Sequence, residues 1–155
     1  MELFLIRHTH AEDTVPDRAR RISERGRAQV ETLAKFLRRA DVFAPQEIWH
    51  STLVRARETA EYLAADLKLA APRREIEGLA PEDNPRALLK KIAAGPASLA
   101  LVGHEPFMSG LGTLLVTGRE SGLPKITMKK GAILALEGDG DWWTVRWHVW
   151  PGLVA

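Results

Sequence analysis

Cysteine is absent from the 155 residues, which excludes disulfides, thiolate catalysis and any zinc or iron–sulfur centre built on cysteine. An excess of one charge is missing too. Lys plus Arg number 22 and Asp plus Glu 20, leaving +2 with the histidines neutral. So even a balance argues against nucleic acid or an anionic membrane as a partner. No apolar run approaches the roughly 18 residues of a membrane span. Met1-Glu2-Leu3 carries no basic segment, and the apolar stretch behind it is short. No signal peptide is therefore expected, and the cytoplasm is the expected compartment. Repeats, low-complexity tracts and long linkers are lacking as well, so a single domain over residues 1–155 is expected. Against these absences stands a hydrophobic fraction of 45%, enough for a substantial core.

The apolar residues fall into two periodicities. Leu3 to Ile6 and Leu99 to Val102 are short continuous runs, the mark of strands buried on both faces in a parallel sheet. Glu47 to His50 reads as a third strand and Arg74 to Leu79 as a short fourth. Between them lie helical patterns. Ser23 is a cap before Val30, Leu33, Ala34 and Leu37; a second helix starts near Leu53; Asn84-Pro85 begins a third; Pro106 to Gly118 bounds a fourth. Residues 9–22 are polar and read as a loop. Ile133 to Leu136 and Trp143 to Val149 flank Gly138-Asp139-Gly140, a hairpin signal. Strands alternating with helices predict a three-layer α/β/α sandwich, its sheet mostly parallel with one antiparallel strand at an edge. Trp143 and Trp147, four apart in a strand, are expected on one sheet face, with Trp142 and Trp150 on the other.

In an open α/β sheet, ligands bind beyond the carboxyl ends of the strands. Two predicted strands run straight into a histidine, at Arg7-His8 and at Gly103-His104. A third ends at Ser51, with Arg55 one turn into the following helix. If these strands are neighbours, Arg7, His8, Arg55 and His104 converge. Two guanidiniums and two imidazoles suit a multiply charged anion, phosphate above all, because arginine forks bind its oxygens bidentately. Imidazole is also a competent covalent nucleophile. Taken singly, each residue has a plainer reading: Arg55-Ala56-Arg57-Glu58 as a solvated helix face, His104 as a hydrogen-bonded strand end.

The motifs around these residues resemble those of the histidine phosphatase superfamily, with its phosphoglycerate-mutase-like fold. Leu3-Phe4-Leu5-Ile6-Arg7-His8 is similar to its Arg-His motif. Arg20-Arg21-Ile22-Ser23-Glu24-Arg25-Gly26 is similar to the Arg-x-Leu-Thr-x-x-Gly segment, and Ser51 to Ala60 resembles the Ser-Pro-Leu-x-Arg-Ala-x-x-Thr-Ala segment. Leu101-Val102-Gly103-His104-Glu105-Pro106 and Met128-Lys129-Lys130-Gly131-Ala132 resemble the small SixA-like phosphohistidine phosphatases, as does the lack of a large cap insertion. Thr9 stands where the family usually has Gly, and Thr52 where it has Pro. No counterpart of the assisting acid of larger members is evident. Glu77, Glu82 and Asp83 lie near its place and read as surface charges.

The resemblance implies that His8 attacks phosphorus and forms a phosphohistidine intermediate, which water then hydrolyses. It implies that Arg7, Arg55 and His104 hold the phosphoryl oxygens and that Arg20 contributes at the rim. Lys130 is read as capping the sheet. Positive side chains would do the work of a metal, so neither metal nor cofactor is expected. The implied partner is a phosphohistidine-bearing protein, such as a phosphorelay domain, or alternatively a small phosphate ester. Two further readings are a non-catalytic phosphohistidine-binding protein and a metallohydrolase built on His8-Thr9-His10.

Overall fold

The computed structural model describes residues 1–119 and 123–155. Six strands, β1 (Glu2–Arg7), β2 (Glu47–His50), β3 (Arg73–Glu75), β4 (Ser98–Gly103), β5 (Ile133–Gly138) and β6 (Trp143–Val149), form one sheet in the order β3-β2-β4-β1-β5-β6. β1 to β4 run parallel. β5 pairs antiparallel with β1, and β6 antiparallel with β5. The reversed strand expected at the edge is thus β5, one place inside it, because the hairpin brings a further strand that covers it.

Helices cover both faces, giving the expected three-layer α/β/α sandwich. On one side α1 (Glu24–Ala40) and α2 (Val54–Asp66) turn Val30, Leu33, Leu37, Ala56, Ala60 and Leu63 onto Phe4, Ile6, Ile48, Ala100 and Val102. On the other, α3 (Pro85–Ala93) and α4 (Phe107–Thr117) set Leu88, Ile92, Phe107 and Leu111 onto Leu3, Leu5, Leu99 and Leu101. β1 and β4 therefore feed two cores with alternate residues. This is why their sequences read as unbroken apolar runs. Each Val, Leu, Ile or Phe side chain among them contributes about 1.5–3 kcal/mol on burial. A four-residue α5 (Pro151–Val154), absent from the sequence reading, follows β6. Among the described residues no helix is long and apolar enough to cross a membrane.

The helix starts have the chemistry expected of them. Ser23 Oγ accepts the Gly26 N–H at 3.0 Å, and Asn84 Oδ1 accepts that of Arg86 at 2.9 Å. Gly26 serves a second purpose: a Cβ there would lie 2.1 Å from the His10 carbonyl oxygen, so only glycine lets α1 meet the loop after β1.

The tryptophan arrangement differs from expectation. Ala135 pairs with Trp147 while Leu136 pairs with Val145, so Arg146 is an extra residue in β6. Such a bulge shifts the alternation by one. Trp143 accordingly packs with the α3–α4 side, Trp147 with the α1–α2 side. Trp150 joins the side of Trp143, and Trp142 is exposed beside the hairpin turn.

Candidate active site

The sheet register assembles the site. Arg7 of β1 stands opposite Gly103 of β4, and His50 of β2 opposite Val102. The next residues along these strands are His8, His104 and Ser51, which therefore leave the sheet side by side. The ring centroids of His8 and His104 are 5.1 Å apart. Ser51 Oγ lies 2.5 Å from His104 Nε2 and also accepts the Leu53 N–H at 3.2 Å. The end of β1 is clamped from the far side. The Gly131 N–H donates to both the Arg7 and the His8 carbonyls at 3.1 Å, and Arg7 Nη1 donates to the Met128 carbonyl at 2.8 Å.

The proton on His8 has a fixed home. Its Nδ1 is 2.6 Å from the Thr9 carbonyl oxygen. A carbonyl only accepts, so Nδ1 carries the hydrogen and the lone pair of the neutral ring resides on Nε2. Thr9 is itself buried, and its N–H donates to Thr59 Oγ1 at 3.2 Å. Burial pushes the His8 pKa down to about 3. The Thr9 hydrogen bond opposes that shift, while the nearby His104, Arg55 and Arg7 reinforce it. His104 is brought down to about 4, again first by burial and then by Arg55. Both rings are neutral at pH 7.

Arg55 is 6% exposed. Of the plainer reading, a solvated helix face over Arg55-Ala56-Arg57-Glu58, only Arg57 is exposed. Glu58 beside Arg55 is sealed too, accepting from Arg21 Nε at 2.7 Å and from the Ile22 N–H at 3.2 Å. Those bonds hold residues 9–22 down on α2. The same loop contains a 3-10 turn, Asp17–Ala19, whose Asp17 sequence reasoning missed. The Asp17 carbonyl accepts Arg55 Nη1 at 3.0 Å, and its carboxylate meets Arg55 Nη2 and Arg20 Nη1, each at 3.3 Å. Arg20 also donates to the Glu12 carbonyl at 2.7 Å. Arg20 thus stands behind Asp17, on the rim beside Arg55. Ser51, marked as a strand end and as the start of the Ser51–Ala60 segment, was given no role, because its contact with His104 depends on strand order; Asp17 carries no local signal.

Glu77 and Glu82 are exposed, and Asp83 accepts the Ala80 N–H at 2.8 Å. Glu105 follows His104 in sequence, but its carboxylate caps α4 through the Ser109 N–H, at 2.8 Å, and the Ser109 hydroxyl. Lys130, read as capping the sheet, lines a cavity it shares with Arg7. Among the described residues no group of three or more His, Asp or Glu side chains is arranged to hold a metal ion. His8 and His10 also bind different partners through Nδ1, the Thr9 carbonyl and Ser23 Oγ.

The sequence model of the histidine phosphatase superfamily (branch 1) matches residues 3–80. The chain belongs to that superfamily. Membership supports phosphatase activity. No curated protein sequence matches the chain. Solved structures share its fold at low identity. The protein histidine phosphatase SixA complexed with tungstate is 22% identical, with a TM-score of 0.89 and all of both chains covered. A putative phosphohistidine phosphatase SixA from Agrobacterium tumefaciens is 23% identical, with a TM-score of 0.75 and 96% of each chain covered. A mycobacterial glucosyl-3-phosphoglycerate phosphatase is 19% identical, with a TM-score of 0.70, covering 97% of this chain and 98% of that one.

Proposed function

We propose that this superfamily member is a cytoplasmic, metal-independent phosphatase, a single domain without a large cap insertion, that removes phosphate from phosphohistidine on a signalling protein. The observation that carries the reading is the 2.6 Å bond from His8 Nδ1 to the Thr9 carbonyl, which leaves Nε2 as the free nucleophilic atom of a neutral ring.

In the first step the Nε2 lone pair attacks phosphorus in line. The new N–P bond forms as the bond to the leaving group breaks. Arg7, Arg55 and His104 hold the three equatorial oxygens, and Arg20 supports Arg55 from the rim. Charge spread over those oxygens is stabilised by fixed donors. Ser51 orients His104. Water then attacks the phosphohistidine, the N–P bond breaks towards Nε2, and inorganic phosphate departs.

The preference for phosphohistidine rests on the leaving group. An alkoxide needs a proton as it departs, a service worth about 10²–10⁴-fold. Glu77, Glu82 and Asp83 are exposed or engaged with backbone, and Glu105 is tied to the start of α4. Imidazole leaves without such help, because its far nitrogen takes a proton from solvent. A small phosphate ester is the second reading, favoured by the fold shared with the mycobacterial glucosyl-3-phosphoglycerate phosphatase.

A dephosphorylation panel in chelator-treated buffer tests this. A phosphohistidine protein and activated aryl phosphates should react faster than sugar phosphates. Glu77→Gln, Glu82→Gln and Asp83→Asn should each change the phosphohistidine rate by less than about tenfold. A sugar phosphate as best substrate, with one of these amides abolishing its turnover, would replace the phosphohistidine reading by the small-ester one.

A further inference from the structure

A cavity of about 480 Å³ adjoins the candidate site and shares Arg7 with it. His10, Arg25, Lys129, Lys130 and Trp150 supply most of its remaining wall, and no Asp or Glu lines it. Four permanent cations around one cavity is a local feature in a chain whose net charge is only +2.

Close by, three arginines are paired with acids. Arg20, Arg21 and Arg27, from the adjoining loop and α1, meet Asp17, Glu58 and Asp66. Around the cavity that matching stops. Among the described residues Arg25, Lys129 and Lys130 have no acidic partner; Lys129 instead rests over the Trp150 ring, 5.0 Å from its centroid. Arg7 keeps a buried Nε–H without an acceptor. The neighbouring charges add to the effect of burial on two groups of the wall. Lys130 is held below its ordinary pKa by burial and then by Arg7, Arg20 and Arg25. His10 is lowered by burial and then by Lys130, Arg25 and Arg20. Glu105 is a nearby counter-charge for Arg7 alone, and like charges gathered with so little compensation are relieved by an anion from outside. Trp150 adds an apolar wall for the group that carries it.

We propose that this cavity is a second anion subsite, taking a carboxylate or phosphate group of the substrate itself, so that the preferred substrate bears an acidic group beside its phosphoryl group. The inference rests on the reading that Arg7 binds the phosphoryl group, since Arg7 joins the two sites. On a phosphohistidine protein the acidic group is an Asp or Glu next to the modified histidine. On a small ester it is a second acidic substituent.

The test compares kcat/KM within two matched pairs: phosphohistidine peptides with Glu or Gln flanking the histidine, and carboxyphenyl phosphate against phenyl phosphate. The acidic member should be preferred about tenfold or more by the wild type. Arg25→Gln combined with Lys130→Gln should bring the ratio to within twofold of one, and Lys129→Gln should lower it in part. Preference confined to the peptide pair assigns a protein source, and preference confined to the aryl pair a small ester. A wild-type ratio near one in both pairs overturns the subsite while leaving the phosphatase reading intact. If neither pair is turned over, the phosphatase reading fails, and calorimetry decides the subsite separately. The unphosphorylated Glu-flanked peptide should bind the wild type at least fivefold more tightly than the double variant; no difference overturns it.

Discussion

Asp17 grips Arg55 at two points, its carbonyl oxygen 3.0 Å from Nη1 and its carboxylate 3.3 Å from Nη2. With Arg20 on its other oxygen, this carboxylate is the protein's own small anion, set between Arg55, proposed to receive phosphate, and Arg20 at the rim. It is 66% exposed, so its hold is weak, within the roughly 0.2–1 kcal/mol of a surface ion pair. Asp17→Asn keeps the carbonyl contact and deletes the competing charge. Orthophosphate and vanadate should then inhibit about threefold more tightly. An inhibition constant unchanged or weakened would show that Asp17 positions Arg55 rather than competes for it.

The nucleophile has its own signature. His8→Ala should lower turnover by at least about 10³-fold and abolish any acid-labile labelled phosphoenzyme. Vanadate should still bind through Arg7, Arg55 and His104. A labelled intermediate surviving in this variant, with the fold intact by circular dichroism, refutes the assignment.

Acid should loosen the fold through the two site histidines. Their folded pKa values, about 3 and about 4, lie below the ordinary 6.5. Between those limits the unfolded chain binds more protons than the folded one, so stability falls as pH drops below 6.5 and is fully present above it. Each histidine loses up to about 2 kcal/mol of stability between pH 7 and 5 on this account. Denaturant titrations at the two pH values measure the drop. His8→Asn or His104→Asn should each shrink it by about that amount. Equal drops in wild type and variants would contradict the burial argument.

Gly26→Ala tests the close approach of α1 to the loop after β1. The added methyl must displace the His10 carbonyl, at a cost of about 1–3 kcal/mol. Because His10 follows Thr9, whose carbonyl fixes the His8 proton, kcat should fall as well. A thermal melt matching the wild type would show that the loop has slack.

Much of this was legible in the chain. β1 and β4 announce themselves because burial on two faces leaves no polar position, and their abrupt ends at Arg7-His8 and Gly103-His104 mark where the chemistry lies. Ser23 and Asn84 declare two helix starts because capping is a local exchange of hydrogen bonds. What escaped depends on register or on distance in space. The strand end at Ser51 does not say that its hydroxyl will meet His104, and nothing near Asp17 says that it will meet Arg55. The faces of Trp143 and Trp147 follow strict alternation only if β6 is regular, and one extra residue, Arg146, inverts it. Glu58 resembles any exposed helix acid until the loop after β1 folds over it.

The sheet order also bears on synthesis at the ribosome. β1 emerges first, yet its partners are β4, where Glu2 pairs with Ser98, and β5, where Glu2 pairs with Glu137. Until both exist, a strand of four fully apolar side chains has open edges on each side, the arrangement most prone to pairing with another chain. Contacts so distant in sequence are slow to form. The two histidines that meet at the site are separated by most of the polypeptide, so a nascent or truncated chain that stops before β4 lacks His104 and the strand that carries it to His8. Phosphatase chemistry, on this topology, is withheld until nearly the whole chain has been made.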